Sequence, residues 1–200
     1  MIESRLLESG ITKIAGVDEA GRGACAGPLV VAAVMLRDIH EVKLEQVRDS
    51  KELTPTTREE LFEVITQQAL EYSIIEIPAS EIDEIGLHNA NLEGMRRAIS
   101  ALAIEPEYVL TDGYQIPGLR CESLAIWKGD QVAISISAAS ILAKVYRDRI
   151  MIKVDTLYPG YHFAQHKGYV TRDHERSLIE LGVTQIHRKS YANISALINK

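Results

Sequence analysis

The apolar stretch Ile11 to Val17 leads into Asp18-Glu19-Ala20-Gly21-Arg22-Gly23, and Pro28 then opens Leu29-Val30-Val31-Ala32-Ala33-Val34-Met35-Leu36, which Arg37-Asp38 closes. The two glycines stop any regular element after the first run. The second run is eight residues long and rich in β-branched side chains, which predicts a buried strand. Two strands joined by a Gly-containing connection resemble a hairpin. This order decides between two fold readings. Gly21-x-Gly23-x-x-Ala26 also matches a dinucleotide-binding fingerprint, which would make the chain a nicotinamide-dependent oxidoreductase. That fingerprint needs a helix immediately after it, whose N-terminus holds the pyrophosphate. A strand is predicted there instead, so the oxidoreductase reading lacks its anion site.

Further along, Thr54-Pro55 reads as an N-cap followed by Pro at the first helical position, with Leu61, Val64, Ile65 and Ala69 at helical spacing and an end near Tyr72. Ser73 to Ile77 is a third strand candidate. Leu92, Met95, Ile99 and Leu102 step by three and four, which predicts an amphipathic helix. Tyr108 to Thr111 and Leu124 to Trp127 are short strand candidates ending in Gly-containing turns. Beyond Asp130, Val132, Ile136, Ala139, Ala143, Tyr146 and Ile150 predict one long helix to about Asp155. Asp173 to Leu181 is a further helical stretch. Strands first, then strands alternating with helices, indicate an α/β domain with a mixed sheet flanked by helices. Residues 1–200 are read as one domain whose part from about 158 to 200 is a helical extension.

Composition narrows the classes. The 200 residues are 46% hydrophobic and 25% charged, ordinary globular usage that gives no support to a disordered, collagenous or coiled-coil chain. No apolar run approaches the roughly 20 residues of a membrane span. The N-terminus shows no secretory pattern, so a cytoplasmic protein is expected, with Cys25 and Cys121 as free thiols rather than a disulfide. Net charge is −6, which disfavours a protein that coats polyanions with its whole surface. Yet residues 1–143 carry 12 Lys/Arg against 23 Asp/Glu, net −11, while residues 144–190 carry 9 against 5, net +4. A solvated helix face accounts for such a segment, and so does a nucleic-acid footprint.

Acidic residues fall at the ends of three predicted strands: Asp18-Glu19, Asp112 and Asp130. Strand ends are where α/β sheets place their sites. Carboxylates gathered in apolar surroundings repel one another, a cost tolerable only if cations lie between them. All-oxygen donors fit Mg²⁺ or Mn²⁺, and the absence of a Cys/His cluster disfavours zinc. His162 and His166 have the spacing of a zinc-protease helix, but Phe163 stands where its general-base Glu would follow. Each carboxylate also has a purely structural reading: Asp130 as N-cap of the long helix, Asp112 with Gly113 as a turn, Asp18-Glu19 as a loop pair. Moreover, consecutive strand residues face opposite ways, so Asp18 and Glu19 are expected to share a site only where the strand has ended or bulged.

The neighbours make the constellation specific. Gly16-Val17-Asp18-Glu19-Ala20-Gly21-Arg22-Gly23, Asp49-Ser50-Lys51, Thr111-Asp112-Gly113, Lys128-Gly129-Asp130, Ala138-Ala139-Ser140-Ile141-Leu142-Ala143-Lys144-Val145 with Arg147-Asp148, and His166-Lys167-Gly168-Tyr169 closely resemble, in this order, ribonuclease HII from about Ala15 to Tyr191. The resemblance implies a ribonuclease H-like fold and metal-dependent hydrolysis of RNA in RNA·DNA hybrids. It includes cutting on the 5′ side of a single ribonucleotide embedded in duplex DNA, leaving 3′-hydroxyl and 5′-phosphate ends. It also implies Asp18, Glu19, Asp112 and Asp130 as catalytic carboxylates and metal ligands. Gly21, Arg22 and Gly23 would read the ribose 2′-hydroxyl, largely through backbone groups, and Tyr169 would pack on the sugar to the 3′ side. These roles suit the chemistry: glycine lets the chain approach a sugar closely, and the 2′-hydroxyl is what separates RNA from DNA locally. Two metals about 3.5 to 4 Å apart would clamp the scissile phosphate.

Lys51 is the better phosphate candidate of the two motif lysines. Lys144, about 21 Å along a straight helix from Asp130, is assigned to the flanking duplex or to an i,i+4 pair with Asp148. Lys167 and Arg172 are candidate members of a backbone-binding surface. The chain departs from the family pattern at Ala24-Cys25, where Pro-Leu is common, and at His162, where Gly is frequent; neither removes a proposed ligand, and both bear on loop geometry and on the strictness of the junction preference. A non-catalytic hybrid-binding module on the same fold is the alternative, which four intact carboxylates oppose. Ribonuclease HIII would add an N-terminal substrate-binding domain, for which a first motif at residue 16 leaves no room. Ser190 to Lys200 shows no recognisable clamp-binding tail, and the enzyme is expected to act as a monomer.

Overall fold

The computed structural model describes residues 1–40 and 53–199. Its centre is a five-stranded sheet of β1 (Ile14–Ala20), β2 (Leu29–Leu36), β3 (Ala69–Ile77), β4 (Tyr108–Asp112) and β5 (Glu122–Ile126), in the spatial order β3-β2-β1-β4-β5. β1, β2 and β3 pair antiparallel, as expected of the hairpin, whereas β4 and β5 join β1 in parallel. The sheet is therefore mixed, and β1, β4 and β5 all end at the same side.

β2 is buried along its whole length because helices cover both of its faces. Val30, Ala32, Val34 and Leu36 pack with α2 (Pro55–Gln68) and the long α5 (Ile134–Leu157). Leu29, Val31, Ala33 and Met35 pack with α3 (Ala79–Ile85) and α4 (Leu87–Ser100). Alternation of period two sorts these side chains between the layers. α5 lies close on β1 at Gly16, where a Cβ would stand 2.1 Å from the Ser135 backbone carbon, so glycine is required there.

The helix predicted to end near Tyr72 stops at Gln68, and β3 takes over from Ala69. Ala69 and Glu71 to Ile77 form a ladder with β2, and that pairing overrides a helical pattern that ran a few residues too far. The long helix begins at Ile134, four residues past Asp130, which sits in a 3-10 turn, Gly129–Gln131. Asp130 is thus not its N-cap. The carboxylate that serves that end comes from α1 (Ile2–Glu8), which the sequence reading did not anticipate. Fully buried Glu3 accepts from the Ser135 backbone N–H at 3.0 Å and from the Ser135 hydroxyl at 2.8 Å. The extension carries α6 (Phe163–His166), α7 (Arg172–Leu181) and α8 (Ala192–Ile198). Cys25 and Cys121 are both free thiols. Among the described residues, no helix is long and apolar enough to cross a membrane.

Candidate active site

The carboxyl ends of β1 and β4 build the site. β1 stays paired with β2 through Ala20, but its ladder with β4 ends at Val17 opposite Thr111. Beyond that point β1 has an open edge, and Asp112, the last residue of β4, lies beside it. Asp18 shares the α5 face with Ala20, and Glu19 shares the α4 face with Ala15 and Val17. The strand neither ends nor bulges at these residues, contrary to the condition drawn from the sequence. The two carboxylates instead flank an open strand edge from opposite faces, and both feel the charge of Asp112.

Burial raises the pKa of Asp18 well above the ordinary carboxylate range, and the nearby Glu19 and Asp112 charges add to it. The Glu19 backbone N–H, donating to Asp18 Oδ1 at 2.7 Å, and the Ser140 hydroxyl pull the other way. Glu19 is pushed up to about 7, again by burial first; Arg22 lowers it, Asp112 raises it, and the amide of wholly buried Asn91 lowers it. Glu19 Oε2 is buried with no hydrogen-bond partner. Asp112 Oδ1 accepts from the Gly129 N–H at 2.7 Å, which ties the end of β4 to the turn carrying Asp130.

Asp18, Glu19, Asp112, Gly21, Arg22, Gly23 and Tyr169 line one cleft of about 410 Å³, together with Arg58, Ser140 and Lys144. Asp130 does not line it. That side chain is buried in the adjoining turn, one residue from the N–H that holds Asp112. Among the described residues, no three Asp, Glu, His or Cys side chains converge as a ready metal cage. Lys51 lies outside the described residues, as does its Asp49-Ser50-Lys51 motif. Lys144 pairs with Asp148 at 2.7 Å, the i,i+4 bridge expected, yet also borders the cleft. The helical distance to Asp130 does not apply, because Asp130 is not on the helix and the cleft opens over Ser140.

The glycine turn is held from behind by two buried arginines that sequence reasoning gave no role at the site. Arg147 donates from Nε to Pro28 O (2.9 Å), from Nη1 to Lys167 O (2.9 Å) and from Nη2 to Ala26 O (3.0 Å), and its guanidinium lies 5.5 Å from the Tyr169 ring centre. Gly21 has φ +89°, and a Cβ there would stand 1.9 Å from Arg147 Nε. Arg188 donates to Gly27 O at 3.1 Å and to Arg22 O at 3.2 Å, and the Tyr191 hydroxyl reaches the same Arg22 carbonyl at 2.5 Å. No local pattern marks a buried arginine as a clamp on carbonyls. Arg147 beside the Lys144 motif was the only signal available. Arg58, on α2, had none.

A five-stranded mixed sheet covered by helices on both faces, with carboxylates at the shared end of its parallel strands, is the ribonuclease H-like class of fold. The family model of ribonuclease HII matches residues 15–194. The chain is 53% identical to a ribonuclease HII of Rhodococcus erythropolis over 195 residues, 98% of this chain and 86% of the other. It is likewise 53% identical to that of Mycobacterium ulcerans over 193 residues, 96% of this chain and 81% of the other. Among solved structures, ribonuclease H2 from Pyrococcus horikoshii OT3 superposes with a TM-score of 0.80 at 28% identity, covering 94% of this chain and 97% of that one. Ribonuclease HII of Archaeoglobus fulgidus, solved in complex with PCNA, superposes at 0.74 with 26% identity, covering 90% and 95%. A Bst ribonuclease HIII solved with Mn²⁺ shares the fold at 0.67 and 19% identity, covering 94% and 69%. The chain belongs to the ribonuclease HII family and is an endoribonuclease acting on RNA·DNA hybrids.

Proposed function

We propose that this enzyme cuts on the 5′ side of single ribonucleotides embedded in duplex DNA, as well as within continuous RNA·DNA hybrids, leaving 3′-hydroxyl and 5′-phosphate ends. The observation that carries this reading is the shared cleft: the Gly21-Arg22-Gly23 turn and Tyr169 border the space that Asp18, Glu19 and Asp112 line. A Cβ on Gly23 would come 3.8 Å from Tyr169 Cε1, ordinary van der Waals contact, so turn and ring are immediate neighbours on the cleft wall and can each face one of two adjacent sugars. The turn offers backbone groups to a 2′-hydroxyl, and the ring offers an apolar face to the following deoxyribose, a contact that ignores base identity.

The donor set suits hard divalent cations: three carboxylates lining one cleft, an unpartnered buried Glu19 Oε2, and mutual repulsion that a cation would relieve. Asp18, Glu19 and Asp112 would hold Mg²⁺ or Mn²⁺ with Asp130 beside them, and the cations would supply Lewis acidity for water attack and charge for the departing 3′-oxygen. The chain's own groups position the rest. Arg188 and Tyr191 fix the Arg22 carbonyl, and Gly129 orients Asp112. We assign residues 1–200 to a single catalytic domain, in which the basic part of the extension follows the duplex backbone as a monomer would need.

The test is duplex DNA carrying one ribonucleotide, incubated with Mg²⁺, Mn²⁺ or EDTA, and the ends mapped. One cut 5′ to the ribonucleotide is expected with either cation and none with EDTA. Cleavage elsewhere, or cleavage in EDTA, contradicts the reading. Tyr169→Ala should slow cutting at the single ribonucleotide more than cutting of a continuous RNA strand.

A further inference from the structure

His166, His174 and His187 form a cluster of titratable rings next to the cleft, packed around Phe163, and the chemistry above makes no use of them. His166 and His174 stack at 4.4 Å with 14° between their planes, and His174 and His187 are buried. Their hydrogen bonds leave no freedom of tautomer. The Thr184 backbone N–H can only donate, so His187 Nδ1, 3.0 Å away, accepts. The proton of neutral His187 is then on Nε2, which faces His174 Nε2 at 3.1 Å. His174 Nε2 accepts it, and His174 carries its own proton on Nδ1. That Nδ1 lies 3.0 Å from the Tyr169 carbonyl, which can only accept. Cys25 Sγ, 3.7 Å from the same Nδ1, has the Gly168 carbonyl at 3.6 Å for its own proton. His166 is fixed likewise: Nδ1 accepts from the Gly168 N–H at 3.2 Å, and Nε2 donates to the Tyr161 carbonyl at 2.7 Å.

The relay Thr184 to His187 to His174 thus ends on the backbone of a residue whose ring lines the cleft. Tyr169 follows two residues of positive φ, Lys167 at 52° and Gly168 at 80°, so no regular element aims it. Its N–H is bound by the His166 carbonyl at 2.9 Å and its C=O by His174. We propose that His174 and His187 are positioning residues: one fixed order of ring protons holds the Tyr169 carbonyl and so sets the angle at which its ring meets the sugar on the 3′ side of the cut. This rests on the role given to Tyr169 above and adds the residues that enforce it.

Two measurements test it. In long-range ¹H–¹⁵N spectra at pH 7, without substrate, His174 should appear as the Nδ1–H tautomer and His187 as the Nε2–H tautomer. An Nε2–H His174 overturns the relay. Second, kcat/KM is compared between a single embedded ribonucleotide and a continuous RNA strand, with melting followed in parallel. His174→Phe, which keeps the stacking and loses the donor, should lower that ratio about tenfold, the worth of one hydrogen bond, and add nothing further to Tyr169→Ala. His174→Asn, whose amide can donate to the same carbonyl, should hold the ratio within about threefold of wild type. A structural role alone would slow both substrates equally, and that result overturns the proposal. A wild-type enzyme that treats both substrates alike overturns the reading of Tyr169 instead; the two failures are distinct because the spectra need no substrate.

Discussion

Asp18 illustrates a residue selected against stability. Burial and two neighbouring acids oppose its charge, so Asp18→Asn removes repulsion while leaving shape almost unchanged. Cleavage should fall by about 10³-fold or more, while the melting temperature in EDTA stays level or rises by about 2–4 °C per kcal/mol gained. Mg²⁺ should raise the wild-type melting temperature and leave the variant's nearly unmoved. A variant that cleaves normally would exclude Asp18 from the reaction. His162 is the opposite case, an exposed side chain in a left-handed conformation, φ 60°, a backbone region that favours glycine. His162→Gly relieves roughly 1–2 kcal/mol of strain and costs about 0.5–1 in unfolded-chain entropy. A gain of up to about 1.5 kcal/mol in denaturant unfolding is expected, with activity unchanged. The sequence reading marked His162 as a departure from glycine, and the left-handed backbone is one that glycine adopts without strain.

Among the elements, α5 has its N-terminal turn on β1, Ser140 and Lys144 at the cleft, and Arg147 beneath the glycine turn. Its first turn has no side-chain cap of its own and depends on Glu3 from the far end of the chain. Glu3→Ala should therefore lower stability by about 1–2 kcal/mol, as loss of a helix N-cap does, and leave the cleavage pattern intact once folded. A denaturant titration that does not shift would show the cap to be idle. Periodicity made α5 and β2 legible because their burial is local and continuous. It misjudged the α2–β3 boundary, where pairing with β2 decided, and it missed α1, a seven-residue helix whose main task is 132 residues away.

For the whole molecule, the histidine relay links stability to pH. Burial lowers the pKa values of His166 and His174, and takes His187 down to about 4. A histidine with a lowered native pKa takes up its proton first in the unfolded chain. Its contribution is complete above about pH 6.5 and is lost as pH falls toward 4. The raised Asp18 and Glu19 act in the opposite sense over the same range, so the histidine part is read by difference. Between pH 6.5 and 4, the stability of His187→Gln should depend on pH less steeply than wild type, by up to about 1.4 kcal/mol per pH unit. Parallel curves would mean His187 is protonated in the native state.

By itself, the sequence determined the chemistry: which residues carry charge, which stretches must be buried, where glycine stops a strand, and a motif order that defines the family. Those properties reside in residue type and short spacing. Tertiary structure alone decided that Asp18 and Glu19 line one cleft without a break in β1, because the β4 ladder stops one residue short and opens the strand edge. It also decided that Asp130 is buried in the turn beside the cleft, and that Arg147, Arg188 and His174 hold backbone carbonyls of residues around it. A carbonyl is the same at every residue, so sequence carries no sign of which one a distant side chain will hold.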